Sequence, residues 1–90
     1  MCLKNEKIKT QADYLYDTMI KHNVNEISVL SNDILVESMV LSHSKNKRVW
    51  NYFYRVINSA RGRQLFEYVG MYYFPYLSYK CCRVYRIKTV

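Results

Sequence analysis

The segment SKNKRVWNYFYRVINSAR, residues 44–61, decides how the rest of the chain is interpreted. At the period of an α-helix, its apolar residues fall in one stripe that would face a core. This stripe consists of Val49, Phe53, Val56, Ile57 and Ala60. The opposite side carries only cations and amides, and the segment contains no Asp or Glu; these polar residues are Lys47, Arg48, Asn51, Arg55 and Asn58.

A helix surface that serves solubility alone usually mixes charges of both signs, because Glu–Lys pairs support the helix. Arginine and lysine bind phosphate and guanine, and asparagine binds adenine. The segment therefore predicts a helix that lies on nucleic acid. The alternative is an ordinary core helix with a solvated basic face.

The length and composition exclude several classes of protein. Ninety residues, half of them hydrophobic, predict one folded domain with a modest core. Two glycines cannot build a glycine-rich phosphate loop. No apolar run approaches the ~20 residues of a membrane span, and the N-terminus lacks the apolar core of a signal peptide. We therefore expect a cytoplasmic protein, inside the cell that makes it or a host cell, with no membrane association.

The net charge of +7 is unevenly distributed. Residues 1–37 carry four lysines and six acids, a net charge of −2. Residues 38–90 carry ten Lys and Arg against Glu67 alone, a net charge of +9. Such asymmetry indicates a polyanionic partner: nucleic acid, an anionic membrane surface or an acidic protein.

The residues that could carry chemistry form no recognisable site. Cys2, Cys81 and Cys82 are not at zinc-ligand spacing with His22 or His43, so we expect reduced thiols and no metal. The odd number of cysteines leaves an intermolecular disulfide open. No spacing favours a catalytic triad, a Cys–His pair or paired carboxylates. The sequence predicts that the protein is not an enzyme and has no cofactor.

Two helices and a short strand are predicted before the basic segment. Thr10 is a candidate N-cap for a helix that ends near His22. Its core face would consist of Ala12, Leu15, Tyr16, Met19 and Ile20. Residues 26–30 favour a short strand or an extended link. Ser31 is a candidate N-cap for a second helix that ends near Val40.

The basic helix and a hairpin are predicted to follow. Ser42 or Ser44 would cap the helix, and Gly62 would end it in the left-handed conformation. A strand is predicted from Gln64 to Pro75, and residues 78–90 favour a second strand that pairs with it antiparallel.

This order of elements resembles the winged helix-turn-helix domain, an α+β fold. The resemblance rests on the helix that Ser31 caps, the turn LSHSKN, the helix KRVWNYFYRVINSARG and the terminal hairpin with its RVYRI strand. It implies that residues 10–90 form a single winged-helix domain after a flexible N-terminus, residues 1–9. Residues 34–40 would be the supporting helix, residues 45–61 the recognition helix, and the hairpin tip the wing.

The resemblance implies a small, sequence-specific protein that binds double-stranded DNA and regulates transcription. The small size, few Gly and Pro and many tyrosines are typical of viral or plasmid proteins. The N-terminal half of the recognition helix would enter the major groove. The expected DNA-binding residues are Lys45, Lys47, Arg48, Asn51, Arg55, Asn58, Lys80 and Arg83, with Asn51 contacting a base.

The hairpin tip departs from a usual wing because it is aromatic rather than basic. Residues 71–79 hold more aromatic and apolar side chains than so small a chain can bury, and exposed clusters of this kind mark interfaces. We expect a homodimer whose interface includes Tyr72, Tyr73, Phe74 and Tyr76. Stacking on unpaired bases and plain core packing remain open.

An alternative function belongs to another class. The basic face and the aromatic tip would bind an acidic protein, such as a host protein, so that the chain acts as an interaction module or an inhibitor.

Overall fold

The structure, a computed structural model, describes residues 9–73 and 81–88. In chain order its elements are α1 Gln11–Lys21, β1 Glu26–Ile27, α2 Asn32–Leu41, α3 Val49–Asn58, α4 Ala60–Leu65, β2 Phe66–Tyr73 and β3 Cys81–Ile87. The three strands form an antiparallel sheet in the order β1-β3-β2. The predicted α+β class is confirmed, although one more helix is present than the sequence predicted. Nearly all of the predicted flexible N-terminus lies outside the described residues.

Helix α1 begins where its local sequence predicts. The Thr10 hydroxyl accepts a hydrogen bond from the Asp13 backbone N–H, and the Asp13 carboxylate accepts one from the Thr10 N–H at 2.9 Å. This reciprocal capping box satisfies two N–H groups that the helix leaves unpaired. The expected core face is wrong at one position, because Ile20 is exposed. Thr18 is buried instead, since its hydroxyl donates to the Tyr14 carbonyl at 2.8 Å and needs no water.

Tyr52 joins α3 to the first two helices. Its side chain is fully buried, and its hydroxyl is hydrogen-bonded to the buried Ser38 hydroxyl of α2. The same hydroxyl donates to the Gln11 carbonyl at the start of α1, at 3.4 Å. Phe53 and Val56 of α3 lie in the same core. The apolar stripe predicted for this helix therefore faces the core as expected, with Tyr52 added to it.

The basic helix ends three residues earlier than predicted. Ser59 is extended, with φ −71° and ψ 161°, and starts the separate helix α4. Its hydroxyl donates to the Val56 carbonyl at 2.7 Å and accepts from the Gly62 N–H at 3.0 Å. The break moves Ala60 out of phase with the core stripe. Ala60 is therefore exposed, contrary to prediction.

The expected role of Gly62 is also wrong. It is a buried residue inside α4 and not the left-handed end of a helix. A Cβ atom at this position would lie 2.0 Å from the Val56 carbonyl oxygen. Glycine is needed here because α4 passes too close to the end of α3 for any side chain.

The predicted antiparallel hairpin is confirmed in the described residues. Strand β2 begins at Phe66, two residues later than predicted, because α4 extends to Leu65. Phe66 pairs with Ile87 and Tyr68 pairs with Tyr85. A bulge follows, between Tyr68 and Gly70, and Gly70 adopts φ +152°, which glycine alone tolerates well. Of the predicted tip, residues 71–79, the part from 74 to 79 lies outside the described part of the chain.

Substitution of Gly62 by Ala tests the contact between α3 and α4. In an open helix this change stabilises by about 1 kcal/mol, because alanine is the better helix former. Here we expect a loss of roughly 1–3 kcal/mol, because the methyl group forces the two helices apart. Urea denaturation measures the change.

Arg63→Ala is the matched control, since Arg63 is exposed in the same helix. It should alter the free energy of unfolding only slightly. A stabilised Gly62→Ala variant would contradict the close approach of α4 to Val56.

Candidate nucleic-acid interface

The exposed side of α3 carries the predicted polar face. Arg48, Asn51, Arg55 and Asn58 are all exposed, on the side opposite the buried Phe53. Asn51 and Arg55 are four residues apart, so their side chains lie one above the other along the helix. This face is therefore open to a ligand over the whole length of α3.

Two predicted cations lie before the helix and not on it. Lys45 and Lys47 are exposed in the turn between α2 and α3, because α3 begins only at Val49. Helix α2 ends at Leu41, and His43 in the turn that follows is in the left-handed conformation, at φ +52°. The predicted recognition helix 45–61 is thus reduced to Val49–Asn58, with a cationic turn in front of it.

The expected cap of α3 is wrong as well. The Ser44 hydroxyl accepts from the Asn46 N–H at 3.1 Å and so stays within the turn. Arg48 is the N-cap residue, and among the described residues no side chain caps the first N–H groups of α3. No acid lies in its first turn. The positive end of the helix dipole therefore adds to the charge of Lys47 and Arg48, which together favour an anion.

The ion pairs among the described residues do not involve the polar face of α3. They are Lys9–Asp17, Lys21–Glu37, His22–Glu37, Arg61–Asp13 and Arg86–Glu67. Hydrogen bonds from Lys21 and His22 hold the pKa of Glu37 below its ordinary value. The cations of α3 and its preceding turn take part in none of these pairs, so their charge is not neutralised within the described part of the chain.

Strand β3 carries one further cation of the predicted site. Arg83 is exposed and pairs with Met71 across the hairpin. Burial raises the pKa of Tyr54 on α3, and the Arg83 guanidinium is near enough to act in the opposite direction. The place of Arg83 at the polar face stays a prediction. Lys80, the other predicted cation of the hairpin, lies outside the described residues.

A row of aromatic rings connects the outside of α3 with the sheet. Trp50 lies 5.2 Å from Tyr54, and Tyr54 lies 5.1 Å from the buried Phe53, measured between ring centroids. Phe53 contacts Tyr85 at 5.9 Å, and Tyr85 contacts Tyr68 at 5.4 Å. Both ends of the row are open to solvent, because Trp50 is 60% exposed and Tyr68 is 54% exposed.

The sequence did not assign Trp50 or Tyr54 to the site. Their spacing of four residues, next to Asn51, is a signal that could have identified them. The contact between Phe53 and Tyr85 joins residues far apart in the chain and has no such local signal.

The outer hairpin is aromatic and exposed, as predicted. Met71, Tyr72 and Tyr73 are all open to solvent, Tyr73 at 62%. Phe74 and Tyr76, the other residues expected at an interface, lie outside the described part of the chain. These exposed residues lie on β2 beyond the bulge, at the outer end of the hairpin.

The described residues offer less support for a metal site, for a second anion-binding site or for a membrane span. Among residues 9–73 and 81–88, no group of three or more His, Cys, Asp and Glu side chains could hold a metal ion. A groove at the start of α2 is lined by His22, Asp33 and Glu37 among others, and its carboxylates would repel phosphate. None of the helices described is both long and apolar enough to cross a bilayer.

Comparison with known proteins adds no relative. The chain matches no protein-family model, no curated protein and no solved structure. The candidate interface is therefore argued from its own geometry.

The pair between Asp13 and Arg61 fixes α4 to α1 and makes stability depend on pH. Burial acts to raise the pKa of Asp13, but hydrogen bonds from Thr10 and Arg61 outweigh it and lower that pKa below 3.8. The contribution of the Asp13 carboxylate to the free energy of unfolding is therefore complete above about pH 4. It is lost as the pH falls through the lower pKa that Asp13 has in the folded protein. We expect Asp13→Asn to be less stable than the wild type near neutral pH, with a difference that shrinks in acid.

Urea denaturation of both proteins at about pH 7 and about pH 3 measures this difference. Asp33→Asn is the control, because Asp33 has no ion pair within the described residues. A difference between wild type and Asp13→Asn that stayed constant with pH would rule out the carboxylate as its source.

Proposed function

We propose that the protein is a winged-helix protein that binds double-stranded DNA sequence-specifically and regulates transcription. The observation that carries the proposal is the exposed, carboxylate-free face of α3, with Arg48, Asn51 and Arg55 along it. The order of the elements and the sheet order β1-β3-β2 are compatible with a winged-helix layout. In that layout α2 supports α3, and the β2–β3 hairpin is the wing.

The dimensions of α3 fit the major groove. A helix with its side chains is ~10–12 Å wide, and the major groove is ~12 Å wide. Ten residues give α3 a length of about 15 Å, enough to cross the groove. Its uncapped N-terminus, with Lys45 and Lys47 before it, would lie against the phosphates at one side.

The contacts divide into two kinds. The cations Lys47, Arg48 and Arg55 would bind phosphates or guanine, and Arg83 would bind the backbone beside the hairpin. Asn51 lies between Arg48 and Arg55 on the exposed side, where its amide can form two hydrogen bonds with an adenine edge. Phosphate contacts would position the protein, and Asn51 would supply base preference.

Binding to duplex DNA across a salt series tests the proposal. Each phosphate contact contributes about −0.9 to the slope of log affinity against log salt concentration. We expect Arg48→Ala and Arg55→Ala each to weaken binding and to make that slope shallower by about one contact. Asn51→Ala should instead relax the preference among duplexes selected from a random pool.

Lys21→Ala is the matched control, because Lys21 is an exposed cation already paired with Glu37 at 2.7 Å. It lowers the net charge by the same amount and should leave the slope unchanged. Absence of binding at low salt, or a flat slope for the wild type, would reject DNA as the partner.

A second proposal concerns the outer hairpin, where Met71, Tyr72 and Tyr73 are exposed together. Two copies that bury these residues against each other would form a homodimer and place two α3 helices on successive half-sites. In the alternative function, this surface together with the basic face of α3 would serve a protein-interaction module or inhibitor that binds an acidic host protein.

The double variant Tyr72→Ala/Tyr73→Ala tests this surface by sedimentation. We expect a dimer for the wild type and a monomer for the variant, with DNA binding at low salt preserved in both, because the α3 face is untouched. Tyr68→Ala is the control, since Tyr68 is exposed on the same strand before the bulge.

A wild-type monomer would exclude self-association. Co-purification from host lysate, with and without nuclease, would then distinguish a protein partner retained through the two tyrosines from one retained through DNA.

A further inference from the structure

Trp50 occupies an unusual position for the chain's only tryptophan. It is 60% exposed, although tryptophan is highly buried on average in folded proteins. It follows Val49 in the first turn of α3 and directly precedes Asn51. It therefore lies next to Asn51 of the proposed DNA-binding face, and its neighbours one turn on are Phe53 and Tyr54.

The ring of Trp50 is supported from behind. It packs against Tyr54 at 5.2 Å with an interplanar angle of 51°. Tyr54 in turn meets the fully buried Phe53 at 5.1 Å, edge to face. These contacts connect the exposed ring to the core through Tyr54.

The edges of paired bases give Trp50 little to bind. In continuous B-DNA the faces of the bases are covered by their neighbours, and the major groove presents only edges. Indole has one N–H donor and no acceptor, so it can form one hydrogen bond at most with such an edge. Its flat apolar face matches the face of a base, which is accessible only where a base is unpaired.

Two cations lie near these rings. Arg48 precedes Trp50 by two residues in the chain, and Arg83 is within electrostatic range of Tyr54. A single strand that runs past α3 would place its phosphates near these cations while a base stacks on Trp50. This combination of cations and an aromatic platform is how proteins hold single-stranded nucleic acid.

We infer that Trp50, supported by Tyr54, stacks on an unpaired base, so that the protein prefers DNA in which a duplex adjoins an unpaired segment over continuous duplex. The inference rests on the proposed function and adds to it the form of DNA that the site selects. The duplex occupies the polar face of α3, and the unpaired base occupies the indole face at its edge.

Intrinsic fluorescence tests this directly, because Trp50 is the sole tryptophan. The wild type is titrated with a blunt duplex, with the same duplex carrying a short unpaired extension, and with that extension made abasic. Stacking of one base changes affinity by roughly fivefold or more. We expect quenching of Trp50 and at least fivefold tighter binding with the extended duplex, and neither with the blunt or abasic one.

Affinities are measured for all proteins by fluorescence anisotropy of labelled DNA, because the Trp50 variants contain no tryptophan. Trp50→Ala should bind all three DNAs with the affinity of the wild type for the blunt duplex. Trp50→Phe retains a smaller ring and should recover part of the preference. Tyr68→Ala is the matched control, since it removes the exposed aromatic at the other end of the row, and it should keep the full preference. Circular dichroism establishes that each variant is folded.

The outcomes separate the two proposals. Equal wild-type affinity for blunt and extended duplexes, or a preference that survives in Trp50→Ala, overturns the stacking site and leaves duplex binding standing. Binding of the single-stranded extension alone as tightly as the extended duplex supports stacking but overturns docking of α3 in a groove. Failure to bind any of these DNAs at low salt overturns both.

Discussion

The burial of Tyr52 fixes the position of the whole candidate interface. Its ring lies among α1, α2 and α3, and its hydroxyl is satisfied by Ser38 and by the Gln11 carbonyl rather than by water. A buried hydroxyl without such partners would cost about 1–3 kcal/mol, so the pairing restricts how α3 can rotate against its neighbours. With Tyr52 inside, helical geometry directs Arg48, Asn51 and Arg55 outward. The same residue therefore stabilises the core and orients the polar face.

Acidic and basic side chains lie mainly on different helices of the molecule. Acids are concentrated in the first two helices and are largely engaged by Lys9, Lys21 and Arg61. The cations of α3 have no such partners within the described residues and are exposed to solvent. Their mutual repulsion costs stability, and a polyanion would relieve it. The face is therefore better suited to binding an anionic ligand than to stabilising the fold.

The sequence correctly predicted those elements whose formation depends on residues that are close together in the chain. The Thr10 capping box lies within four residues, and it placed the start of α1 correctly. The apolar stripe of α3 has a clear period and was predicted nearly in full. The break at Ser59 could not be predicted in the same way, because it depends on where α4 packs. Arg61 contacts Asp13, 48 residues away in the chain, and no sequence window contains both.

The predictions for the candidate site succeeded or failed for the same reason. The cations of the polar face were evident from the sequence, because a helix without carboxylates is visible in one segment. Lys45 and Lys47 were misplaced onto the helix, since either serine could have capped it on sequence grounds. The aromatic row was missed because it is completed by Tyr85, which meets Phe53 only after the sheet has formed.

The bulge at Gly70 divides the hairpin into an inner and an outer part that have different neighbours. Before it, β3 lies between β1 and β2, and the strands are attached to the core through Phe66. Beyond it, Met71 to Tyr73 pair only with Cys81 to Arg83, and no third strand flanks them in the described structure. Met71 to Tyr73 are also exposed, so this outer part of the hairpin is held by its pairing with β3 and not by the core. Its sequence could therefore change without disturbing the packing that orients α3.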